Sequence, residues 1–158
     1  MSNVVFIEFL DKTSFPKGVW SKEPDFCSWQ YRGFSCLAIR DMKLGMWRGL
    51  VGLKSPHPFF EKSIENILKI KSGMDLFIDI YGGIASAGRL PAKHKEHSQG
   101  LWWLGIETCN GGDLVPLLKL DVEDAEIKKV LGKQTYKDFA FIRKETNKMA
   151  KILERIKK

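Results

Sequence analysis

Three short apolar segments follow one another closely in the first third of the chain, and they constrain its fold more than any other feature. The segments run from Phe26 to Tyr31, from Ser35 to Arg40 and from Met46 to Leu53, with glycines between them. Runs of this length and composition are typical of strands, and glycine-bearing connections are typical of hairpin turns. The pattern predicts an antiparallel meander.

Further strands are predicted on both sides of this meander, over residues 4–10, 74–81 and 101–107. Apolar residues spaced by three and four positions predict a short helix at 63–70 and a long one at about 136–157. A shorter helix at about 122–131 is predicted between them, ended by Gly132. We therefore predict an α+β fold: a curved, mostly antiparallel sheet with two C-terminal helices packed on it. The length of 158 residues predicts a single domain, 1–158.

The net charge of +7 is concentrated in the C-terminal segment. Residues 129–158 hold ten Lys and Arg against three Asp and Glu, so the first 128 residues, with sixteen of each sign, are neutral. A basic face spread over the whole domain is not expected, which disfavours nucleic acid as the partner. A solvated helix face is the ordinary interpretation of such a segment, and contact with DNA or an acidic protein is the alternative.

Cysteine content and hydropathy predict a cytoplasmic protein without a membrane segment. Three cysteines without a C-x-x-C pair indicate neither a disulfide framework nor a structural zinc site. The three histidines do not have metal-ligand spacing, and we expect neither a metal nor a cofactor. No apolar run reaches the roughly 18 residues that span a bilayer. Glu8 interrupts the apolar N-terminal stretch, which is unlike a signal peptide.

Acidic and amide side chains surround a glycine corner at the end of the predicted strand 101–107. Glu107, Asn110 and Asp113 lie within seven residues, with two glycines among them. Such a corner can direct polar side chains into one cleft, where two carboxylates would support acid–base chemistry or bind a divalent metal. The alternative is a structural turn in which Asn110 and Asp113 cap backbone amides.

Aromatic and cationic side chains indicate a site for an anionic ligand that contains a base. Trp102 and Trp103 are adjacent on a predicted strand and must face opposite sides, so one of them needs a second layer or a ligand. Arg89 follows a glycine-rich loop whose amides could help to hold an anion. The candidate ligand-binding residues are Trp20, Arg40, Tyr81, Gly82, Gly83, Arg89, Trp103, Glu107, Asn110 and Asp113.

The segment from Trp102 to Pro116 resembles the signature of an uncharacterised family found in phages and prophages, which usually runs W-W-x-G-F-D-C-A-H-x-G-D-L-x-P. Shorter matches, from a G-V-W tripeptide near the N-terminus to a closing T-Y-K-D-F-A-F-I segment, extend the resemblance over nearly the whole chain. The chain departs from the pattern at Tyr81 and Asn110, where relatives often have histidine, and at Glu107, where they have aspartate. The resemblance implies a phage-type accessory protein, and the loss of both histidines favours binding over catalysis.

These observations predict a protein that sequesters a nucleotide-derived messenger and so counters host anti-phage signalling in the host cytoplasm. A homo-oligomer is expected, because ligand pockets often lie between subunits. One alternative is a hydrolase or phosphodiesterase that acts on such a nucleotide through Glu107 and Asp113 as catalytic residues. A second alternative is an antagonist that binds a protein or DNA through the basic C-terminal helix.

Overall fold

The computed structural model describes residues 5–8, 18–70, 77, 79–90, 100–109, 113, 116 and 135–156. It confirms the predicted α+β class, since six antiparallel strands form one sheet and a long helix follows near the C-terminus. The described elements are β1 (Val5–Ile7), a 3₁₀-helix (Val19–Lys22), β2 (Phe26–Tyr31), β3 (Phe34–Arg40), β4 (Trp47–Leu53), α1 (Ile64–Lys69), β5 (Ser86–Gly88), β6 (Trp102–Glu107) and α2 (Phe139–Glu154).

The strands are arranged in the order β1-β2-β3-β4-β6-β5, so the predicted meander β2-β3-β4 forms the centre of the sheet. Tyr31 pairs with Phe34 across a two-residue turn, and the pairing continues to Phe26 opposite Ile39. On the other side of β4, Arg48 lies opposite Glu107. This pairing places the end of β6, where the glycine corner begins, beside the start of β4.

Both described α-helices begin at side-chain caps. The hydroxyl of Ser63 accepts a hydrogen bond from the Asn66 amide at the start of α1. The carboxylate of Asp138 accepts one from the Phe141 amide at 2.8 Å and starts α2. These caps satisfy amides that have no partner within the helix. The shorter helix predicted at 122–131 lies outside the described residues.

The strand predicted over residues 74–81 is wrong where the structure describes it. Phe77 and residues 79–82 form turns, and Phe77 and Ile80 instead contribute buried side chains to the core. The glycine-rich segment that follows, predicted to be a flexible loop, contains the edge strand β5. Small residues permit this pairing, because a Cβ on Gly105 of β6 would lie 2.3 Å from the hydroxyl of Ser86.

The sheet has a buried core on each face. The larger core lies under α2 and includes Trp29, Trp47 and Ile142. The smaller core is formed on the other face by Phe26, Leu37, Leu50, Leu101 and Trp103. Alternate residues of one strand point to opposite faces, which explains why neighbours along the chain belong to different cores.

A glycine allows α2 to pack closely on the sheet. A Cβ on Gly49 of β4 would lie 2.1 Å from Oγ1 of Thr146, closer than real side chains approach each other. The Thr146 hydroxyl in turn donates to the Ile142 carbonyl of the preceding turn at 2.6 Å. The lack of a side chain at Gly49 therefore allows α2 to approach the sheet closely at Thr146. Within the described residues, we find no helix with the length and apolarity that crossing a bilayer requires.

Candidate functional site

Arg40, one of the predicted ligand-binding residues, lies inside the protein and is almost completely buried. Its Nε donates to the Asp25 carboxylate at 2.9 Å, and one Nη donates to the Gly45 carbonyl at 2.6 Å. The guanidinium also lies over the Trp47 ring, 4.5 Å from the ring centroid. Because these contacts occupy N–H donors of the guanidinium, Arg40 connects β3 to its neighbours.

The same buried network continues to the start of α2. Glu23 accepts hydrogen bonds from the Tyr136 hydroxyl and, at 2.5 Å, from the Phe139 amide. Burial and the Glu23 carboxylate raise the pKa of Tyr136, while Arg40, 3.0 Å from its oxygen, opposes this shift. The network joins the 3₁₀-helix region to α2, so its role is structural.

The two predicted tryptophans are also buried. Trp20 packs edge-on against Tyr136, with ring centroids 4.9 Å apart. Trp103 is only 2 % exposed and belongs to the smaller core, whereas Trp102 packs against the larger one. The prediction that the adjacent tryptophans face opposite sides is confirmed, and Trp103 is buried among the side chains of the smaller core.

Arg89 is exposed and connects two parts of the surface. It donates to Glu61 at 2.7 Å and to the Gly100 carbonyl at 2.5 Å, and it lies over the rings of Phe60 and Trp102. Gly82 and Gly83, predicted beside it, both adopt positive φ, at +68° and +69°. Arg89 therefore connects the segment after β4 to the start of β6.

Two predicted residues, Tyr81 and Asp113, do meet. The Tyr81 hydroxyl donates to the Asp113 carboxylate, and the Lys137 ammonium lies 3.9 Å from the same oxygen. Lys137 also lies over the Tyr81 ring, and the Tyr81 amide donates to Glu145 at 3.1 Å. Asp113 is buried, so its charge is balanced by Lys137 within the protein. Asn110 lies outside the described residues.

Glu107, the other predicted carboxylate, is paired at the sheet surface. Its Oε1 lies 3.6 Å from Nε of Arg48 on β4, and its Oε2 accepts a hydrogen bond from the Cys109 thiol at 3.3 Å. Partial burial and the nearby carboxylates of Glu107 and Asp113 raise the pKa of Cys109. A thiol kept protonated in this way is a weak nucleophile.

A basic groove runs along the exposed face of α2, the helix that the sequence predicted as a basic contact surface for DNA or a protein. It is an open concavity of about 450 Å³. Four of its lining residues are cations, and none of the described residues that line it carries a carboxylate. The lining residues are Tyr31, Ala140, Arg143, Lys144, Asn147, Lys148 and Lys151. The helix residues recur at steps of three and four, so one helix face presents them all.

Contacts to the sheet hold part of this basic groove in place. The indole N–H of Trp29 donates to Oδ1 of Asn147 at 2.8 Å, and the Arg143 guanidinium lies 5.5 Å from the Trp29 ring centroid. Because the Asn147 oxygen is used, its NH₂ group is the part of the amide left for the groove. Lys148 is tied to Glu145 at 3.0 Å. Hydrogen bonds and charge from Arg32 and Lys151 lower the pKa of Tyr31.

A second concavity, of about 370 Å³, lies beside the end of α2 and is largely apolar. His57 lines it, but both ring nitrogens are used within the protein. Nδ1 accepts from the Phe59 amide at 3.1 Å, which makes Nε2 the donor to the Leu153 carbonyl at 2.9 Å. His57 thus connects the segment after β4 to the last turn of α2.

Among the described residues, no three His, Cys, Asp or Glu side chains are grouped so that they could hold a metal ion.

Comparisons with protein-family models, curated proteins and solved structures find no match to this chain. The resemblance to a phage family therefore stays a prediction, and the candidate site is argued from its own geometry.

Proposed function

We propose that this protein binds a small phosphate-bearing anion of the nucleotide type in the basic groove and releases it unchanged. The observation that supports this most directly is the lining itself, in which Arg143, Lys144 and Lys151 share one concavity. Lys148 also lines it, but its ammonium is bonded to Glu145 and to the Asp79 carbonyl. Cations that share a concavity repel one another, and an anion between them relieves that repulsion. Hydrogen bonds from ionised donors to phosphate are also stronger than neutral ones.

Two acidic residues at α2, Glu145 and Asp138, are placed where they compete little with a ligand, and the third, Glu154, pairs with Arg32. Glu145 is buried and faces Tyr81, and Lys148 pairs with it from the rim. Asp138 is used as the helix cap. Arg143 and Lys144 consequently supply most of the positive potential at one end of the groove, and Lys151 supplies it at the other.

The remaining lining residues favour a nucleotide over an inorganic anion. The groove is an open concavity, and its volume of about 450 Å³ exceeds what one phosphate needs. The Asn147 NH₂ group can donate to a base or a sugar, and the Tyr31 ring offers an aromatic surface beside it. Arg143 rests on Trp29, so less of its conformational freedom is lost on binding.

This proposal keeps the ligand class predicted from the sequence and moves the site from the glycine corner to α2. Cations, an amide and a phenol make a binding surface, and His, Asp and Glu, the commonest general bases, are not among the described lining residues, which supports binding over hydrolysis. Sequestration of a messenger in an infected cell and assembly as a homo-oligomer remain predictions that rest on the resemblance.

Isothermal titration with ADP, and with adenosine as the uncharged comparison, tests the proposal. We expect ADP to bind and adenosine to bind much more weakly. The double variant Arg143→Gln/Lys144→Gln should weaken ADP binding by about tenfold or more, the factor expected from losing one charged hydrogen bond. Lys69→Gln, which removes an exposed lysine from α1, is the matched control and should not change it.

The fate of the ligand separates binding from catalysis. After incubation with the protein and release by heat, ADP should be recovered intact. Absence of ADP binding by the wild-type protein, or equal binding by the double variant and Lys69→Gln, would overturn the proposal.

A further inference from the structure

The turn between β2 and β3 contains a residue that is poorly suited to its backbone. Arg32 and Gly33 are its two central residues, with φ of +49° and +81°. Positive φ at both positions is the geometry of a type I′ turn, which favours Asn or Asp followed by Gly. Arginine costs stability there, because its Cβ crowds the neighbouring carbonyl oxygen. A strained residue of this kind is a reason to look for a function.

Arg32 lies at the edge of the basic groove. Its guanidinium is 5.7 Å from the ring centroid of Tyr31, which lines the groove. Lys151, another lining residue, also interacts with the Tyr31 phenol, and both cations lower the pKa of Tyr31. Arg32 therefore contacts a residue that lines the groove.

Arg32 is paired with the last residue of α2. Its Nη1 donates to Oε2 of Glu154 at 3.0 Å, and the two side chains are 47 % and 46 % exposed. Water screens an ion pair this exposed, so the pair contributes little and can be exchanged for another anion. A guanidinium suits such an exchange, because it binds phosphate oxygens through two parallel hydrogen bonds.

We propose that Arg32 becomes a phosphate-binding residue when a ligand binds. Its guanidinium exchanges Glu154 for the terminal phosphate of a ligand whose first phosphate occupies the basic groove. The groove then selects ligands with two or more linked phosphates over monophosphates. This inference rests on the proposed function, because it requires the groove to bind a nucleotide. It also explains why an arginine occupies this strained position. The turn fixes the backbone of Arg32, while its exposed guanidinium can exchange one anionic partner for another.

The test compares the affinities of AMP and ADP for four proteins: wild type, Arg32→Asn, Glu154→Gln and the double variant. Arg32→Asn should weaken ADP binding about fivefold and AMP binding less than twofold, while the thermal midpoint rises because Asn-Gly suits the turn. Glu154→Gln releases the guanidinium and should strengthen ADP binding about threefold, the factor expected from an exposed ion pair. In the double variant that gain should disappear, because the released arginine is no longer present.

Arg32→Gly is a second substitution that the turn accommodates, and it should reproduce the effects of Arg32→Asn. Two results overturn the role of Arg32 and leave the basic groove as a binding site: an equal loss of AMP and ADP affinity, or a gain from Glu154→Gln that persists without Arg32. If the wild-type protein binds neither nucleotide, the proposed function fails, and the inference fails with it.

Discussion

Arg40 and Asp25 form a hydrogen-bonded ion pair inside the protein, with 2.9 Å between Nε and Oδ1 and both side chains inaccessible to solvent. The sequence suggested that Arg40 would bind a phosphate. The pair instead connects β3 to the residue that precedes β2. Burial is tolerated because charge balances charge and because carbonyl oxygens take further donors.

Removing one member of this pair should destabilise the fold and leave the basic groove unaffected. We expect Asp25→Asn to lower the free energy of unfolding by about 3 kcal/mol, because it leaves the Arg40 charge buried without its main partner. Urea denaturation followed by circular dichroism measures the loss. Glu61→Gln, which removes an exposed carboxylate paired with Arg89, is the control and should cost less than about 1 kcal/mol. Equal losses for both variants would contradict a structural role for the buried pair.

The contact between Gly49 and Thr146 gives a second prediction. Gly49→Ala places a methyl group 2.1 Å from the Thr146 hydroxyl, so either the Thr146 side chain or α2 must shift. We expect a loss of about 2 kcal/mol or more in unfolding free energy, as for other overpacked cores. Gly88→Ala is the matched control, since its Cβ would meet no atom within 4 Å.

The second variant Thr146→Ala removes the clashing atom. Combined with Gly49→Ala, it should recover part of the lost stability, which a double-mutant cycle measures as a favourable coupling. Strictly additive effects would show that the two positions do not touch.

Two buried thiols predict how stability depends on alkaline pH. Burial raises the pKa of Cys27 to about 11 and of Cys36 to about 12, from 9.0 when unfolded. Each group is more easily ionised in the unfolded chain, so its contribution is fully present below pH 9 and is lost as pH rises toward the folded values. Unfolding free energy measured from pH 8 to 11 should fall, and the fall should be shallower in Cys27→Ala/Cys36→Ala. An unchanged slope in that variant would contradict burial as the cause.

The hydrogen bond between Tyr81 and Asp113 allows a substitution to distinguish a structural role of the glycine corner from a catalytic one. Asp113→Asn removes the charge that balances Lys137 and should lower the unfolding free energy by about 1–3 kcal/mol. The affinity for ADP should change less than twofold, because Asp113 does not line the basic groove. If Asp113→Asn instead abolishes a measured nucleotide hydrolysis without changing the unfolding midpoint, the hydrolase alternative is correct.

Local patterns predicted much of the fold, because the sheet obeys them. Glycines between apolar runs gave the hairpins, and alternation placed Trp102 and Trp103 on opposite faces. The predicted strand at 74–81 failed at Phe77 and Ile80, which are buried from turns. Burial alone selects apolar residues at such positions, whatever the backbone conformation.

Sequence patterns located the candidate site poorly, because the contacts that decide it join residues far apart in the chain. Arg40 is buried only because Asp25 and Glu23 are brought to it by the sheet and the 3₁₀-helix. The basic face of α2 was visible as lysines opposite an apolar stripe. What the sequence could not supply was Trp29 and Tyr31 beside that face, since no local pattern sets which strand lies against a helix.

The location of bound ligand tests the central claim most directly. In a titration of the isotopically labelled protein with ADP, chemical-shift changes report where the nucleotide lies. We predict that the largest changes occur at Tyr31, Arg143, Lys144, Asn147 and Lys151. Changes concentrated instead at Tyr81, Arg89 and Glu107 would contradict the basic groove and restore the corner as the site.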